Sequence, residues 1–263
     1  MQPLRLAAAT RCWKTPLLET LGEVAQLGVE GLQFDLREEL PPTALTETGR
    51  RDFLHRLRER GLFVASGWVP LQRPLASEYQ LERRLAFLRQ AMTFAFQLRA
   101  PTLCFRCGRL PEDLSKGEGK TLVEILSDLA AHANHVGVVL GLTPSADSAT
   151  KLGELVGQIK TGPIGIDFDP AHFAMTGQPV TESLRELHSH VVHVQLRDGM
   201  RDLAGGGSEM PVGQGVIDWA ELIALLGEMD YRGWLTAIRS QGENKTADIA
   251  RGLRYVKQLL LGG

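Results

Sequence analysis

The chain has 263 residues, a formal net charge of −2 at pH 7 and 43% hydrophobic residues. Its Lys and Arg residues are dispersed, which argues against a nucleic-acid surface and a polybasic membrane patch. No apolar run approaches the roughly 20 residues that cross a bilayer. The three cysteines and a start typical of a strand rather than a signal peptide favour a cytoplasmic protein. We therefore expect a globular protein with no nucleic-acid partner and no membrane partner.

Strand and helix patterns alternate along the whole chain. Short apolar runs predict strands at Leu4–Thr10, Gly31–Leu36, Leu62–Val69, Thr102–Cys107, Val138–Thr143, Ile164–Asp169, Val191–Leu196 and Trp234–Ile238. Apolar residues at helical spacing predict helices at Pro16–Leu27, Thr48–Arg60, Glu78–Leu98, Lys120–Val136, Ala149–Ile159, Ser183–Ser189, Trp219–Met229 and Ala247–Leu261. This alternation, at this length and without a Pro- or Ser-rich linker, predicts an α/β protein with a single (β/α)8 TIM barrel domain over residues 1–263.

An open, doubly wound sheet is the main alternative to the barrel. Such sheets usually carry a glycine-rich phosphate turn after the first strand. The corresponding turn, residues 10–13, reads TRCW and has no glycine. The barrel is therefore the favoured fold, and it predicts that functional residues gather at the C-terminal ends of the strands.

The end of the sixth predicted strand carries the main candidate site. Asp167 and Asp169 fall on one face because strand side chains alternate, and unpaired buried carboxylates are costly. We expect Pro170 to stop the strand and His172 to lie just beyond it. A carboxylate and an imidazole at a strand end are typical of a catalytic site. The alternative is that Asp169 caps a turn and His172 is a surface loop residue.

Other polar residues follow the remaining predicted strands. They are Asp35, Arg106, Thr143, Gln195, Asp198 and Arg239. For Asp198 the alternative role is to bind loop amides. The segment Arg201–Gly215, which follows the seventh strand, is rich in glycine and predicts a loop.

Four stretches of the chain are similar to one known group of barrels. They are residues 140–144 (LGLTP), 167–172 (DFDPAH), 193–198 (HVQLRD) and the closing segments 213–219 (GQGVIDW) and 231–236 (YRGWLT). Together they resemble the xylose isomerase-like barrel superfamily of sugar and sugar-phosphate isomerases and epimerases. The resemblance implies a divalent metal in the barrel mouth, held by Glu, Asp, His and Glu from strands five to eight. It also implies two glutamates that pass a proton on opposite faces of an enediolate.

This chain departs from that pattern at the ligands themselves. The four positions are Thr143, Asp169, Gln195 and Ile238, or Arg239 for the last if the register differs by one residue. A site with Asp169 as its only retained metal ligand predicts at most weak binding of Mg²⁺, Mn²⁺ or Zn²⁺, so we expect no resident cofactor.

Two alternatives to the lost metal site follow from neighbouring residues. A shifted cluster of His193, Asp167, Asp169 and His172 could hold an ion, although a core histidine hydrogen-bonded to a carboxylate is the commoner arrangement. The other alternative is that arginines replace the cation, because a guanidinium grips carboxylates, phosphates and enediolates. The candidates are Arg106, Arg197 and Arg239, which could equally pair with the acids of the mouth.

Two functions remain open. The first is an isomerase or epimerase that acts on a small, polyhydroxylated, sugar-like molecule, with Asp169 or His172 as the catalytic base. Its expected substrate-binding residues are Arg106, Thr143, Gln195, Asp198 and Arg239. The second is a degenerate barrel that binds a sugar or metabolite without turnover, as a sensor or partner subunit.

An endonuclease-IV-like DNA repair enzyme would share the barrel. It ranks low, because it needs many zinc ligands and this chain has seven histidines and no basic face. If the chain forms an oligomer, we expect a homodimer.

Overall fold

Strands and helices alternate through the computed structural model, which describes residues 4–202 and 205–262. The strands are β1 (Arg5–Ala9), β2 (Gly31–Asp35), β3 (Phe63–Val69), β4 (Thr102–Phe105), β5 (Val139–Leu142), β6 (Ile164–Phe168), β7 (Val191–Leu196), β8 (Asp198–Arg201), β9 (Gly207–Met210) and β10 (Trp234–Ala237). The helices are α1 (Leu17–Gln26), α2 (Glu47–Glu59), α3 (Leu81–Gln97), α4 (Gly117–Val136), α5 (Ala149–Gln158), α6 (Pro170–Thr176), α7 (Val180–Leu187), α8 (Trp219–Glu228) and α9 (Lys245–Gly262).

Eight of these strands form a closed parallel barrel in the order β1-β10-β7-β6-β5-β4-β3-β2. This topology confirms the predicted fold. Apolar side chains of the strands and of the surrounding helices fill the layer between them. None of the helices among the described residues combines the length and the apolar character needed to cross a bilayer.

Side-chain caps start several helices, of which α2, α5 and α8 begin within one residue of their predicted starts and α6 was not predicted. Each capping oxygen accepts a hydrogen bond from the amide three residues later, which satisfies one of the unpaired amides of the first turn. The capping residues are Thr46, Ser148, Asp169 and Asp218.

The region around Pro170 differs from the prediction. Pro170 does not merely stop the strand. It occupies the first turn of α6, where its missing amide costs nothing and its fixed φ angle suits a helix. His172 consequently lies on α6 and is 5% exposed, so it is not a surface loop residue.

The predicted glycine-rich loop after β7 is also different. Part of it forms an antiparallel hairpin, in which β8 pairs with β9 from Asp198 opposite Met210 to Arg201 opposite Gly207. The hairpin packs against α6, so it reaches the same end of the barrel as His172.

Two register shifts occur in the pairing of the described barrel strands. Between β6 and β7 the pairing passes from Ile166 opposite Val191 to Asp167 opposite His193. A second shift, between β2 and β3, places Gln33 opposite Ser66. Such irregularities re-aim side chains, and here each of them sets two buried polar residues side by side.

Gly165 makes room for the shift in β7. A Cβ atom at this position would lie 2.3 Å from the carbonyl oxygen of His190 and 2.4 Å from Cγ1 of Val192, the residue that the register skips. A backbone carbonyl cannot move aside as a flexible side chain can, so the irregular strand pair requires glycine at this position.

We therefore expect Gly165→Ala to destabilise the protein by about 2 kcal/mol or more, because the added methyl overpacks the β6–β7 pair. Gly157→Ala is the matched control. A methyl group added at Gly157, on α5, would have no neighbouring atom within 4 Å, and alanine should stabilise the helix by about 0.5–1 kcal/mol. Urea unfolding of both variants measures the difference. Equal stability of the two would contradict the steric argument.

Candidate active site at the barrel mouth

A buried carboxylate organises the polar interior of the barrel. Asp167 is fully buried and accepts hydrogen bonds from Oγ1 of Thr143 at 2.5 Å, Nδ1 of His193 at 2.7 Å and Nε2 of Gln195 at 2.6 Å. Burial by itself raises the pKa of Asp167, but the charge of His193 and the three hydrogen bonds outweigh it and leave the pKa below its usual value. The carboxylate therefore stays charged, and both of its oxygens accept hydrogen bonds.

The same network continues across the barrel from His193. Its Nε2 atom lies 2.8 Å from Oγ1 of Thr236 and 3.2 Å from Oγ of Ser66. Ser66 in turn accepts a hydrogen bond from Nε2 of Gln33 at 2.8 Å. His193 is thus a core histidine bonded to a carboxylate, as expected. The other partners of His193 were not predicted from the sequence, although each is a polar residue within a largely apolar strand.

Arg11 ends this network at the mouth. It lies in the 3-10 turn Thr10–Cys12 that follows β1, and its Nη1 donates to Oε1 of Gln33 at 2.6 Å. Its guanidinium carbon lies 5.1 Å from the centre of the Trp68 ring. Burial lowers the pKa of Arg11, whereas acidic groups that include Asp35 raise it. Arg11 was missed as a site residue, although its position directly after a barrel strand was a usable signal.

Asp169 lies two residues beyond Asp167, just after β6, and is paired with arginines. It is fully buried, forms a salt bridge with Arg197, and lies 3.7 Å from Nη2 of the half-exposed Arg106. Its Oδ1 accepts a hydrogen bond from the backbone amide of His172 at 3.3 Å. The structure therefore brings Asp169, His172 and Arg106 together, with their carboxylate neutralised by two guanidinium groups.

The β8–β9 hairpin contributes a second acid to this cluster. Oε1 of Glu209 accepts a hydrogen bond from Nε of Arg197 at 3.2 Å. Glu209 also lies 3.9 Å from Nη1 of Arg239, whose Nε donates to Asp248 at 3.0 Å. Burial lowers the pKa of Arg197, but Asp169 and Glu209 outweigh it and raise the pKa. Arg239 joins the site only through Glu209, which local sequence patterns did not reveal.

His172 differs from its neighbours because its ring keeps an unused nitrogen. Nε2 is buried and has no hydrogen-bond partner among the described residues. Burial lowers the pKa of His172, Asp169 raises it, and the charge of Arg106 lowers it, with a net shift downward. The ring is therefore neutral near pH 7, and its unused nitrogen can accept or donate a proton.

Asp198 lies apart from this cluster, at the start of β8. Its carboxylate accepts hydrogen bonds from the amides of Gly199, Gly213 and Gly215 and from Nε1 of Trp219. This arrangement is the loop-binding role that the sequence left open. Asp198 shapes the segment after β7, and its oxygens are already occupied by donors from the protein.

The residues at the four family ligand positions do not fit a divalent metal. Thr143 and Gln195 both donate to Asp167, and Ile238 has no donor atom in its side chain. The remaining carboxylate, Asp169, is paired with Arg197 and Arg106. A cation would have to displace two guanidinium groups to reach it.

A second arrangement of ligand atoms lies deeper in the barrel. One atom each of Cys104, Asp167 and His193 lie within 4.8 Å of one another. Burial raises the pKa of the Cys104 thiol well above its usual value, so the sulfur is a neutral thiol and a poor ligand. Asp167 and His193 are already hydrogen-bonded to each other. The triad could hold a metal only if that bond broke and the thiol lost its proton.

The whole chain is similar to one family and to several solved structures. The model of the family described as xylose isomerase-like TIM barrel matches residues 21–259. None of the curated proteins matches the sequence. A xylose isomerase domain protein from Planctomyces limnophilus has a TM-score of 0.85 at 22% identity, covering 98% of this chain and 96% of the other. An L-ribulose 3-epimerase has a TM-score of 0.79 at 16% identity, with coverages of 98% and 95%.

A third neighbour was solved with magnesium. It is a xylose isomerase-like TIM barrel protein from Mycobacterium smegmatis, with a TM-score of 0.78 at 15% identity and coverages of 99% and 97%. Identities this low establish a shared fold, whereas the chemistry of each site has to be argued from its own residues.

We expect chelation to leave this protein unchanged, because its ligand positions are occupied by arginines and by hydrogen bonds. Protein purified with added Mn²⁺ and then dialysed should hold far less than one equivalent of metal by elemental analysis. Its melting temperature should not change with EDTA. Stoichiometric metal retained after dialysis would contradict the donor-set argument.

Asp167→Asn should destabilise the protein by about 3–5 kcal/mol at neutral pH, because His193 loses its buried partner. The folded-state pKa of Asp167 is depressed, so its contribution is present above the unfolded-state value and is lost as the pH falls through the folded-state value. The stability gap between wild type and variant should therefore stay constant above about pH 5 and narrow as the pH falls below the usual aspartate pKa of about 3.9.

Asp52→Asn is the control for that substitution. Asp52 is 56% exposed and pairs only with Arg56 on the surface of α2, so its loss should cost less than about 1 kcal/mol. Urea unfolding across the pH range measures both variants. If the difference in unfolding free energy between wild type and Asp167→Asn does not change with pH, the network does not stabilise the charged form of the carboxylate.

Proposed function

The chain belongs to the xylose isomerase-like TIM barrel family, and from that premise we propose that it isomerises a small, polyhydroxylated, sugar-like substrate without a divalent metal. The observation that carries this proposal is the pairing of Asp169 with Arg197 and Arg106, together with a hydrogen bond from the backbone amide of His172, whose ring atom Nε2 has no partner among the described residues. Arginines thus occupy the position at which the family resemblance implies a cation.

Removal of a proton next to a carbonyl group creates an enediolate, whose negative charge must be stabilised. Arg106 is the best placed group for this task, because it is half-exposed and its guanidinium is held only at 3.7 Å from Asp169. Arg11 adds positive charge to the same end of the barrel. A guanidinium supplies two parallel N–H donors, which suit the paired oxygens of an enediolate.

His172 is the better candidate for the base. The carboxylate of Asp169 is already occupied, because it pairs with Arg197 and Arg106 and accepts the backbone amide of His172. The ring of His172 is neutral near pH 7, because burial lowers its pKa. A base acts best when its pKa lies near the working pH and its accepting atom is unoccupied.

A single base restricts the type of reaction. Epimerisation through an enediolate needs proton transfer on two faces, and therefore two groups. In isomerisation between neighbouring carbons, one base can return the carbon-bound proton on the face from which it came, while the hydroxyl proton passes from one oxygen of the enediolate to the other. The pairing of Asp169 with arginines therefore favours isomerisation over epimerisation.

A second candidate function is supported by a separate observation. Thr143, Gln195 and Asp198, three of the expected substrate-binding residues, already donate to or accept from other protein groups. A mouth so fully hydrogen-bonded suits a barrel that binds a sugar or metabolite as a sensor without turning it over. Saturable binding of a sugar with no exchange of its α-hydrogen in D₂O would favour this function.

We expect His172→Gln to lower turnover of a sugar substrate by about 10²–10⁴-fold, because it removes the base but keeps a side chain of similar size. The ligand-induced rise in melting temperature should persist. Because the base acts in its neutral form, wild-type kcat/KM should be flat near pH 7 and fall only below the usual histidine pKa of about 6.5.

The experiment needs a panel of aldoses and ketoses, monitored by NMR for interconversion and hydrogen exchange. His135→Gln on the exposed face of α4 is the matched control and should retain full activity. Turnover that survives in His172→Gln and disappears in Asp169→Asn would assign the base to Asp169 instead.

A further inference from the structure

A cluster of arginines surrounds a cavity on the outer side of the barrel rim. The cavity has a volume of about 400 Å³ and is lined by Arg37, Leu71, Gln72, Gln80, Arg83, Arg84 and Phe87. Three of these residues are cationic and none is acidic. Arg37 follows β2 and Leu71 follows β3, so the cavity opens at the C-terminal end of the barrel, behind the second and third strands.

Protein contacts hold two of the guanidinium groups in place. Nη1 of Arg37 donates to the carbonyl oxygen of Pro70 at 3.1 Å, and its guanidinium carbon lies 5.5 Å from the centre of the Phe87 ring. Arg84 donates to the carbonyl oxygens of Leu75, Ser77 and Tyr79. Because these contacts are to neutral carbonyls, the positive charges are fixed without being neutralised.

Nearby acidic side chains compensate the positive charge of this arginine cluster only in part. Glu38 is 3.9 Å from Nε of Arg37 but is 72% exposed, so this pair is weak. Nε of Arg84 is buried without a hydrogen-bond partner among the residues that the structure describes. Burial lowers the pKa of Arg84, and the charge of nearby Arg73 lowers it further. Arg83 is exposed at the edge and forms none of the described ion pairs.

We propose that this cavity is a binding site for a phosphoryl group, carried by a small phosphorylated metabolite. Arg37, Arg83 and Arg84 offer several N–H donors around one concave space, and phosphate oxygens accept such donors in pairs. The two glutamines add neutral donors. Leu71 and Phe87 give the cavity an apolar side, and its volume exceeds that of inorganic phosphate. The site does not depend on the proposed isomerase activity.

Calorimetric titration at low salt tests this site with three ligands: inorganic phosphate, glucose 6-phosphate and glucose. We expect glucose 6-phosphate to bind with a Kd below about 1 mM and glucose not to bind at this site. Tighter binding of glucose 6-phosphate than of phosphate identifies a metabolite site, and equal affinities identify a site for free phosphate. Both results support a phosphoryl site. Absence of binding by both phosphorylated ligands would overturn the proposal.

Substitutions locate the binding. Arg83→Gln should weaken glucose 6-phosphate binding by about tenfold or more, because it removes a charge-assisted donor from an exposed position that the fold does not need. Arg254→Gln, on the exposed face of α9, removes the same charge elsewhere and should change the Kd by less than about twofold.

A variant of the mouth separates the two sites. Arg106→Gln should leave binding in the cavity intact. Binding that Arg106→Gln abolishes and Arg83→Gln leaves unchanged would place the phosphoryl group in the mouth and overturn the proposal. If Arg83→Gln and Arg254→Gln weaken glucose 6-phosphate binding equally, the effect comes from net charge alone, and this result would also overturn the proposal.

Discussion

The buried carboxylate of Asp167 constrains which polar residues can surround it in the barrel. A fully buried charge is tolerated only where hydrogen bonds and an opposite charge surround it. Here the donors are Thr143, His193 and Gln195. Two of these three are the positions at which the family resemblance implies metal ligands. Hydrogen bonding to Asp167 and a poor donor set for a metal are therefore linked, because neutral side chains that donate to Asp167 stand where the resemblance implies a charged glutamate and a histidine.

The outer carboxylate, Asp169, has arginines as its partners. Asp169 contacts Arg197 and Arg106, and Glu209 reaches Arg197 from the hairpin. A guanidinium keeps its charge at any working pH and holds a carboxylate in a defined plane. The hairpin is therefore part of the electrostatics of the mouth. Glu209 gives Arg197 a second carboxylate partner in addition to Asp169.

The sequence was sufficient to predict the barrel, because local hydrophobic periodicity distinguishes strands from helices. Eight alternating strand–helix pairs are then compatible with few topologies. The sequence also located Asp169, His172 and Arg106 correctly at one end. The sequence did not predict contacts between residues that are far apart along the chain. Glu209 faces Arg197 only because β8 and β9 pair, and Gln33 meets Ser66 only because the strand register shifts. The misassignment around Pro170 has another cause. Proline both ends strands and begins helices, and the next few residues did not show which role applied.

The helix that begins at Pro170 explains why the imidazole is the reactive candidate rather than the carboxylate beside it. As N-cap of α6, Asp169 must accept an amide of the first turn, and it is also bound by Arg197. The helix thereby fixes His172 next to a carboxylate whose charge is largely compensated. Asp169 and Arg106 shift the pKa of His172 in opposite directions, so burial decides the outcome and keeps the ring neutral. A neutral ring with one unused nitrogen, held by a helix beside fixed positive charge, has the properties that proton transfer next to a carbonyl requires.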